Sequence, residues 1–311
     1  MGGLATRACL KGSDDIRGKC LGIIHIAQPV DGAPVFIRRM FDGAAKDGFV
    51  MSQLLGSDRV TFQKVVSRAT GPLQLLVTPN YRDRNGAWWY TYSTFERPNE
   101  VKSWEGESWA LYKRAASPPG LLAPTGERGA VGEPYRSKFL ANIDNAKTYH
   151  DDMKHWKYEG KTWTIYGTGP VTDTKSHLDL PPENPEVSFW GTVGAQLNPF
   201  GPGVRYKAKR ADGSEVGLDP DEAFPLNRGY NKDKSCTTHG DGTVPATSAR
   251  ALFPGEHQRW AAGTDYTQKH QFEVVHGQGG NAEHDKICDH SDCVKLVREI
   301  VSHIISLPHG Q

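Results

Sequence analysis

The chain has 311 residues, 37% of them hydrophobic and 23% charged, with a formal net charge of +1. That length buries a sizeable core in one broad domain, and the balanced charge excludes nucleic acid or an anionic membrane as an electrostatically selected partner. Nowhere does an apolar run approach the roughly 18 residues of a membrane span, and five scattered cysteines make no disulfide framework, which fits synthesis in a reducing cytoplasm.

Taken in chain order, Met1 to Leu10 (M-G-G-L-A-T-R-A-C-L) places Leu4, Ala5, Ala8 and Cys9 at helical spacing behind a Gly-rich turn, so it predicts a helix. The run Lys19 to Pro29 is short, β-branched and stopped by Pro, as expected of a central parallel strand covered on both faces. Helical stretches near Val35 to Met51 and Val60 to Ala69 give way to P-L-Q-L-L-V-T-P and W-W-Y-T-Y-S-T-F, which together read as an inserted cap. The Pro/Gly-rich connection Ser117 to Gly129 leads to a helix near Arg136 to Trp156, expected at the surface. Lys161 to Gly169 is the next strong strand, and Glu186 to Val193 with Val204 to Val216 carries the alternation and Asp-Gly turn of an antiparallel excursion. A strand at Gln271 to His276 and a closing helix from Val294 to Ile305, with Val294, Val297, Ile300, Val301 and Ile304 on one face, complete the cadence of an α/β domain. The expected organisation is core over 1–34, cap over 35–157, and core again over 158–311 with the hairpin near 186–218.

Chemistry concentrates in two loops. In G-D-G-T-V-P (Gly240 to Pro245) the flanking glycines allow a tight turn that aims the Asp241 carboxylate back over the sheet, where it can orient an imidazole; the bland reading is an Asx turn. The loop between the last strand and last helix carries His276, His284 and His290. His284 is the preferred general base because a base must stand on a rigid edge facing both nucleophile and carboxylate. His276, inside the strand and expected to be packed, and His290, nearly in the helix, are second choices. A rival reading uses His284, Cys288, His290 and Cys293 as zinc ligands, although their spacing is not that of a standard finger. Trp88 to Tyr92 with Trp104 and Trp109 reads as core or cap packing, with an aromatic binding platform as the alternative.

M-G-G-L-A-T-R-A resembles the tail of the G-H-S-M-G-G-L nucleophile elbow of α/β-hydrolase lipases and esterases. G-D-G-T-V-P with a downstream His resembles the lecithin:cholesterol acyltransferase and GPI-inositol-deacylase branch. Ile23 to Met40 and Gly71 to Tyr81 are similar to bacterial lipase-like hydrolases, some of which are exported as antibacterial phospholipase effectors. The resemblance implies the C-terminal part of an α/β-hydrolase acting on a lipid or other carboxylic ester, without cofactor or metal and with transient contact to a lipid surface. It implies Asp241 and His284 as acid and base, a nucleophilic Ser ahead of Met1, and the Met1 amide as one oxyanion donor. On this reading the chain is truncated at the elbow, and Ile23, Ile24 and Ile26 lie on an open sheet edge. Expressed alone it is expected to aggregate and to lack esterase activity. A pseudo-hydrolase acting as a binding module is the other class of function left open.

Overall fold

The computed structural model describes residues 2–47, 49–103, 108–116, 135–154, 156–180, 186–187, 206–218, 232–254, 261 and 263–307. Met1, Trp104, the Ser117 to Gly129 connection and residues 188–193 of the expected hairpin lie outside them.

Helix α1 (Gly2–Gly12) buries Leu4, Arg7 and Leu10, an i, i+3, i+6 stripe. It is followed by α2 (Asp14–Lys19), whose amino end is closed by the Ser13 hydroxyl accepting from the Ile16 N–H, with Asp14 and Asp15 in the first turn to suit the helix dipole. Next come β1 (Ile23–Ile26) and, much later in the chain, β4 (Thr162–Thr168) and β11 (Gln271–Val275). These three pair in parallel in the order β1-β4-β11. Every residue of β4 is buried, whereas Ile24 and Ile26 of β1 are half-buried. The central strand among the described residues is therefore β4; β1, whose apolar run alone suggests a central strand, stands at an edge, where the expectation of an open sheet edge set Ile23, Ile24 and Ile26.

The last helix, α11 (Ser291–Ser306), lays Cys293, Leu296, Ile300 and Ile304 against Trp163, Ile165, Phe272 and Val274 of the sheet. Burying each Leu or Ile contributes about 1.5–3 kcal/mol. Of the expected stripe Val297, Ile300 and Ile304 pack on the core, but Val301 is 41% exposed, and Cys293 and Leu296 face the core as well. Counting Val ahead of Cys misplaced part of the stripe, because a thiol packs as a small apolar group.

Between β1 and β4 the chain forms a second core. Helices α3 (Pro34–Asp42), α4 (Phe49–Leu55), α5 (Arg59–Val66) and α6 (Thr70–Leu73), strands β2 (Tyr90–Thr94) and β3 (Lys102–Ser103), and helices α7 (Ser108–Ala116) and α8 (Tyr135–Met153) follow in order. Pro34 at the first helical position starts α3, and Asp58 caps α5 by accepting from the Thr61 N–H. Phe36, Ile37, Met40, Phe62, Trp89 and Tyr112 form its centre. Helix α8, expected at the surface, inserts Phe139, Ile143 and Ala146 into this core. Trp89 and Trp109 are buried here too, so these rings pack the interior and present no platform.

After β4 the chain leaves the parallel sheet through β5 (Thr172–Asp173) and β6 (Ser176–Leu180), and β6 pairs in parallel with β2. Residues from the two sides of the expected cap boundary thus share one sheet. An antiparallel set follows, β7 (Glu186–Val187), β8 (Tyr206–Lys209) and β9 (Glu215–Leu218), with Gly213 at φ +86° in the turn joining β8 to β9. The chain returns through α9 (Lys232–Ser235) and β10 (Cys236–Thr237), which pairs antiparallel with β5. It then forms the loop of interest, the short α10 (Ala246–Ala249), and β11.

Candidate active site

Because β1, β4 and β11 are parallel, their carboxyl ends share one edge of the sheet, where open α/β sheets place their ligands. At the end of β4 the Gly169 N–H donates to the Thr238 carbonyl (2.9 Å), which draws the returning strand alongside. Gly240 and Pro245 form an isolated bridge that closes the G-D-G turn, and Gly242 adopts φ +90°, a conformation that favours glycine. Asp241, 2% exposed, hangs inward from this turn. Its Oδ1 accepts from the main-chain N–H groups of Thr243 (3.0 Å) and Val244 (2.7 Å). Its Oδ2 meets Nδ1 of His284 at 2.9 Å. The Asx turn and the imidazole orienter are thus not alternatives; each uses a different oxygen of the same carboxylate. A buried carboxylate without such donors would be strongly disfavoured.

His284 is held by its main chain as well as its ring, since its N–H donates to the Asp241 carbonyl at 2.8 Å. The loop around it is braced by Gly277 N–H to the Gly280 carbonyl (2.9 Å), Glu283 N–H to Asn281 Oδ1 (2.7 Å), and the buried anchors Ala282 and Ile287. Gly167 in β4 makes room for both loops: a Cβ there would lie 2.5 Å from the Ala282 carbonyl oxygen and 3.0 Å from Asp241 Cβ. The carboxylate can only accept, so the shared proton resides on Nδ1, and Nε2 is left as the basic nitrogen. The imidazole is 40% exposed and so can be reached by a reacting group.

The other histidines do different work. His276, expected inside the strand, follows β11 and is exposed; its Nδ1 accepts from the Ala282 N–H (3.3 Å), which ties the loop. The Gly277 turn at φ +80° ends the strand before its ring can pack. His290 is 0% exposed and caps α11: Nδ1 accepts from the Asp292 N–H (3.2 Å) while Nε2–H donates to the Val275 carbonyl (3.1 Å). With both ring nitrogens engaged it has no capacity left for proton transfer. The same arrangement corrects the zinc reading. Cys288 is an exposed free thiol and Cys293 a buried one, and among the described residues no group of three or more His, Cys, Asp or Glu is placed to hold a metal. Met1, the expected oxyanion donor, lies outside the described residues.

One further Ser–His contact was missed from the sequence. Ser93 Oγ lies 3.0 Å from His177 Nε2 and donates to Asp179 (2.7 Å), while Thr91 bonds His177 Nδ1. The only signal was the two-residue alternation that sets 91 opposite 177 and 93 opposite 179 across β2 and β6. Ser93 and His177 are each 1% exposed, so no electrophile reaches them, and the cluster serves to join the two strands.

Helix α1 begins at the same edge of the sheet. A Cβ on Gly3 would lie 2.9 Å from Gln28 Cδ and 3.1 Å from His25 Nδ1, so the start of α1 packs on the carboxyl end of β1. Burial, with the Arg7 charge nearby, pushes the His25 imidazole down to about 3, and it stays neutral.

No protein-family model and no curated protein matches the chain. Among solved structures, the chain is similar to one in the crystal structure of the Tle4-Tli4 complex, with a TM-score of 0.58 and 20% identity over 99% of this chain. The chain spans 58% of the length of that relative. At this identity the likeness concerns the fold, a parallel sheet flanked by helices of the α/β-hydrolase kind.

Proposed function

We propose that the polypeptide carries the acid and base of a Ser–Asp–His triad and belongs to a hydrolase of lipid or other carboxylic esters. The observation that carries this reading is the 2.9 Å Asp241 Oδ2 to His284 Nδ1 hydrogen bond, made at the sheet edge where α1 also starts. The nucleophile is a serine on the turn leading into α1, ahead of Met1, as the Met-Gly-Gly-Leu pattern suggests. In this scheme His284 Nε2 removes the hydroxyl proton as the oxygen attacks the ester carbonyl, and Asp241 stabilises the resulting imidazolium. The amino end of α1, with the Met1 amide as one donor, faces the developing oxyanion. His284 then protonates the departing alcohol, and water activated by the same nitrogen releases the acid. No cofactor or metal is required. The substrate reaches the site from a lipid surface, and nucleic acid has no part.

The test is hydrolysis of short- and long-chain ester substrates by protein that includes the residues encoded ahead of Met1. Asp241→Asn would present an amide N–H to His284, forcing the proton to Nε2 and removing the base. Losses on the order of 10³–10⁴-fold in kcat are expected for Asp241→Asn and for His284→Ala. Activity within a few-fold of the parent in both variants would reject the assignment.

A further inference from the structure

Neither loop at the site explains what sets the height of Asp241 above the sheet. The turn is clasped from below by Thr172, a fully buried residue in the two-residue strand β5. The Thr172 hydroxyl accepts the Gly242 N–H at 2.7 Å and donates to the Pro170 carbonyl at 3.0 Å. Its methyl occupies the space beside Gly240, where a Cβ would come within 2.6 Å of Thr172 Cγ2. Both neighbours of Asp241 therefore touch one side chain, Gly242 through a hydrogen bond and Gly240 through packing. The next residue turns the other way: Asp173 accepts from the Arg38 Nε–H of α3 (3.3 Å) and from the Cys236 thiol of β10 (2.9 Å). Arg38 also pairs with Asp47, as does Arg39 (2.8 Å). Strand β5 is thus a tie between the helical layer and the acid loop, with Thr172 as its end on the catalytic side.

We infer that Thr172 is a positioning residue for the acid of the triad, its hydroxyl acting through Gly242 to hold Asp241 in register with His284. The inference rests on the triad reading and adds a residue to it. Valine at 172 keeps the shape and removes the acceptor, which leaves the Gly242 N–H unpaired and frees the turn to rise; serine keeps the hydroxyl and removes only the methyl.

The experiment observes the His284 Nδ1 proton by NMR in protein that includes the residues encoded ahead of Met1, where a proton shared with a buried carboxylate resonates far downfield and exchanges slowly with water. Exchange is expected to quicken about tenfold in Thr172→Val, the equivalent of one lost hydrogen bond, and to stay within about twofold of the parent in Thr172→Ser. Parent-like exchange in Thr172→Val would overturn the inference and leave the triad reading standing. Absence of the downfield proton from the parent would overturn both. Should Thr172→Val not fold, Thr172→Ala against Thr172→Ser isolates the hydroxyl: quicker exchange in Ala alone supports its role, and equal exchange in the two refutes it.

Discussion

Replacing Gly167 with alanine should disable the site from beneath. The backbone at 167 is ordinary strand, so the effect is one of space alone. The added methyl would lie 2.5 Å from the Ala282 carbonyl oxygen, 3.0 Å from Asp241 Cβ and 3.3 Å from Ile287 Cδ1. Non-bonded heavy atoms settle at about 3.5–4.0 Å, so the Ala282 carbonyl must withdraw by about 1 Å and Asp241 by roughly half that. Neither obstacle is the far end of a flexible side chain. The carbonyl stands two residues before His284, and the Cβ carries the acid. Both are pushed off β4 by unequal amounts, and a relative shift of roughly 0.5 Å stretches the 2.9 Å hydrogen bond beyond the usual range of about 2.7–3.2 Å and weakens it. Overpacking of this kind costs about 1–3 kcal/mol, and misplacement by 1 Å costs about 10²-fold in catalysis. Urea unfolding reads the first quantity, and the downfield His284 proton together with ester hydrolysis by the upstream-extended protein reads the second. A Gly167→Ala protein as stable as the parent to within about 0.5 kcal/mol, with the proton unchanged, would show that the two loops do not depend on the space above β4.

Two more expectations follow from the buried histidines. His25 and His150 have their proton affinities lowered by burial to about 3 and about 4, while their unfolded counterparts titrate near 6.5. The unfolded chain therefore binds more protons below pH 6.5, so this stability is present above that pH and lost as pH falls, by roughly 4 kcal/mol between pH 7 and 5 for the two together. Urea unfolding at the two pH values that gave equal stabilities would contradict it. His290→Ala strips the α11 cap and removes one of the two donors to the Val275 carbonyl, which keeps the Gln278 N–H (3.0 Å), so it should destabilise by about 1–2 kcal/mol while the downfield His284 proton persists. Loss of that proton with stability retained would mean that His290, not His284, is coupled to the acid.

Much of this architecture was written locally. Ile23 to Ile26 and Thr162 to Thr168 are β-branched apolar runs bounded by Pro or Gly, so they announce parallel strands whatever surrounds them. Gly-Asp-Gly likewise declares a tight turn with its carboxylate available, and a rigid loop after the last strand narrows the base to three histidines. These features are carried by neighbouring residues, and backbone sterics read only neighbours.

The tertiary structure alone chose among them. His276, His284 and His290 are chemically identical in the sequence, and they differ because the Ala282 N–H meets the first, the Asp241 carboxylate the second and the Val275 carbonyl the third. The stripe of α11, the inward turn of α8 and the burial of Trp89 and Trp109 were likewise settled by what packs opposite, since the side chain that covers a residue lies far away along the chain. Thr172 shows the limit most plainly: nothing in V-T-D-T distinguishes its hydroxyl until the chain returns 70 positions later and lays the Gly242 N–H upon it.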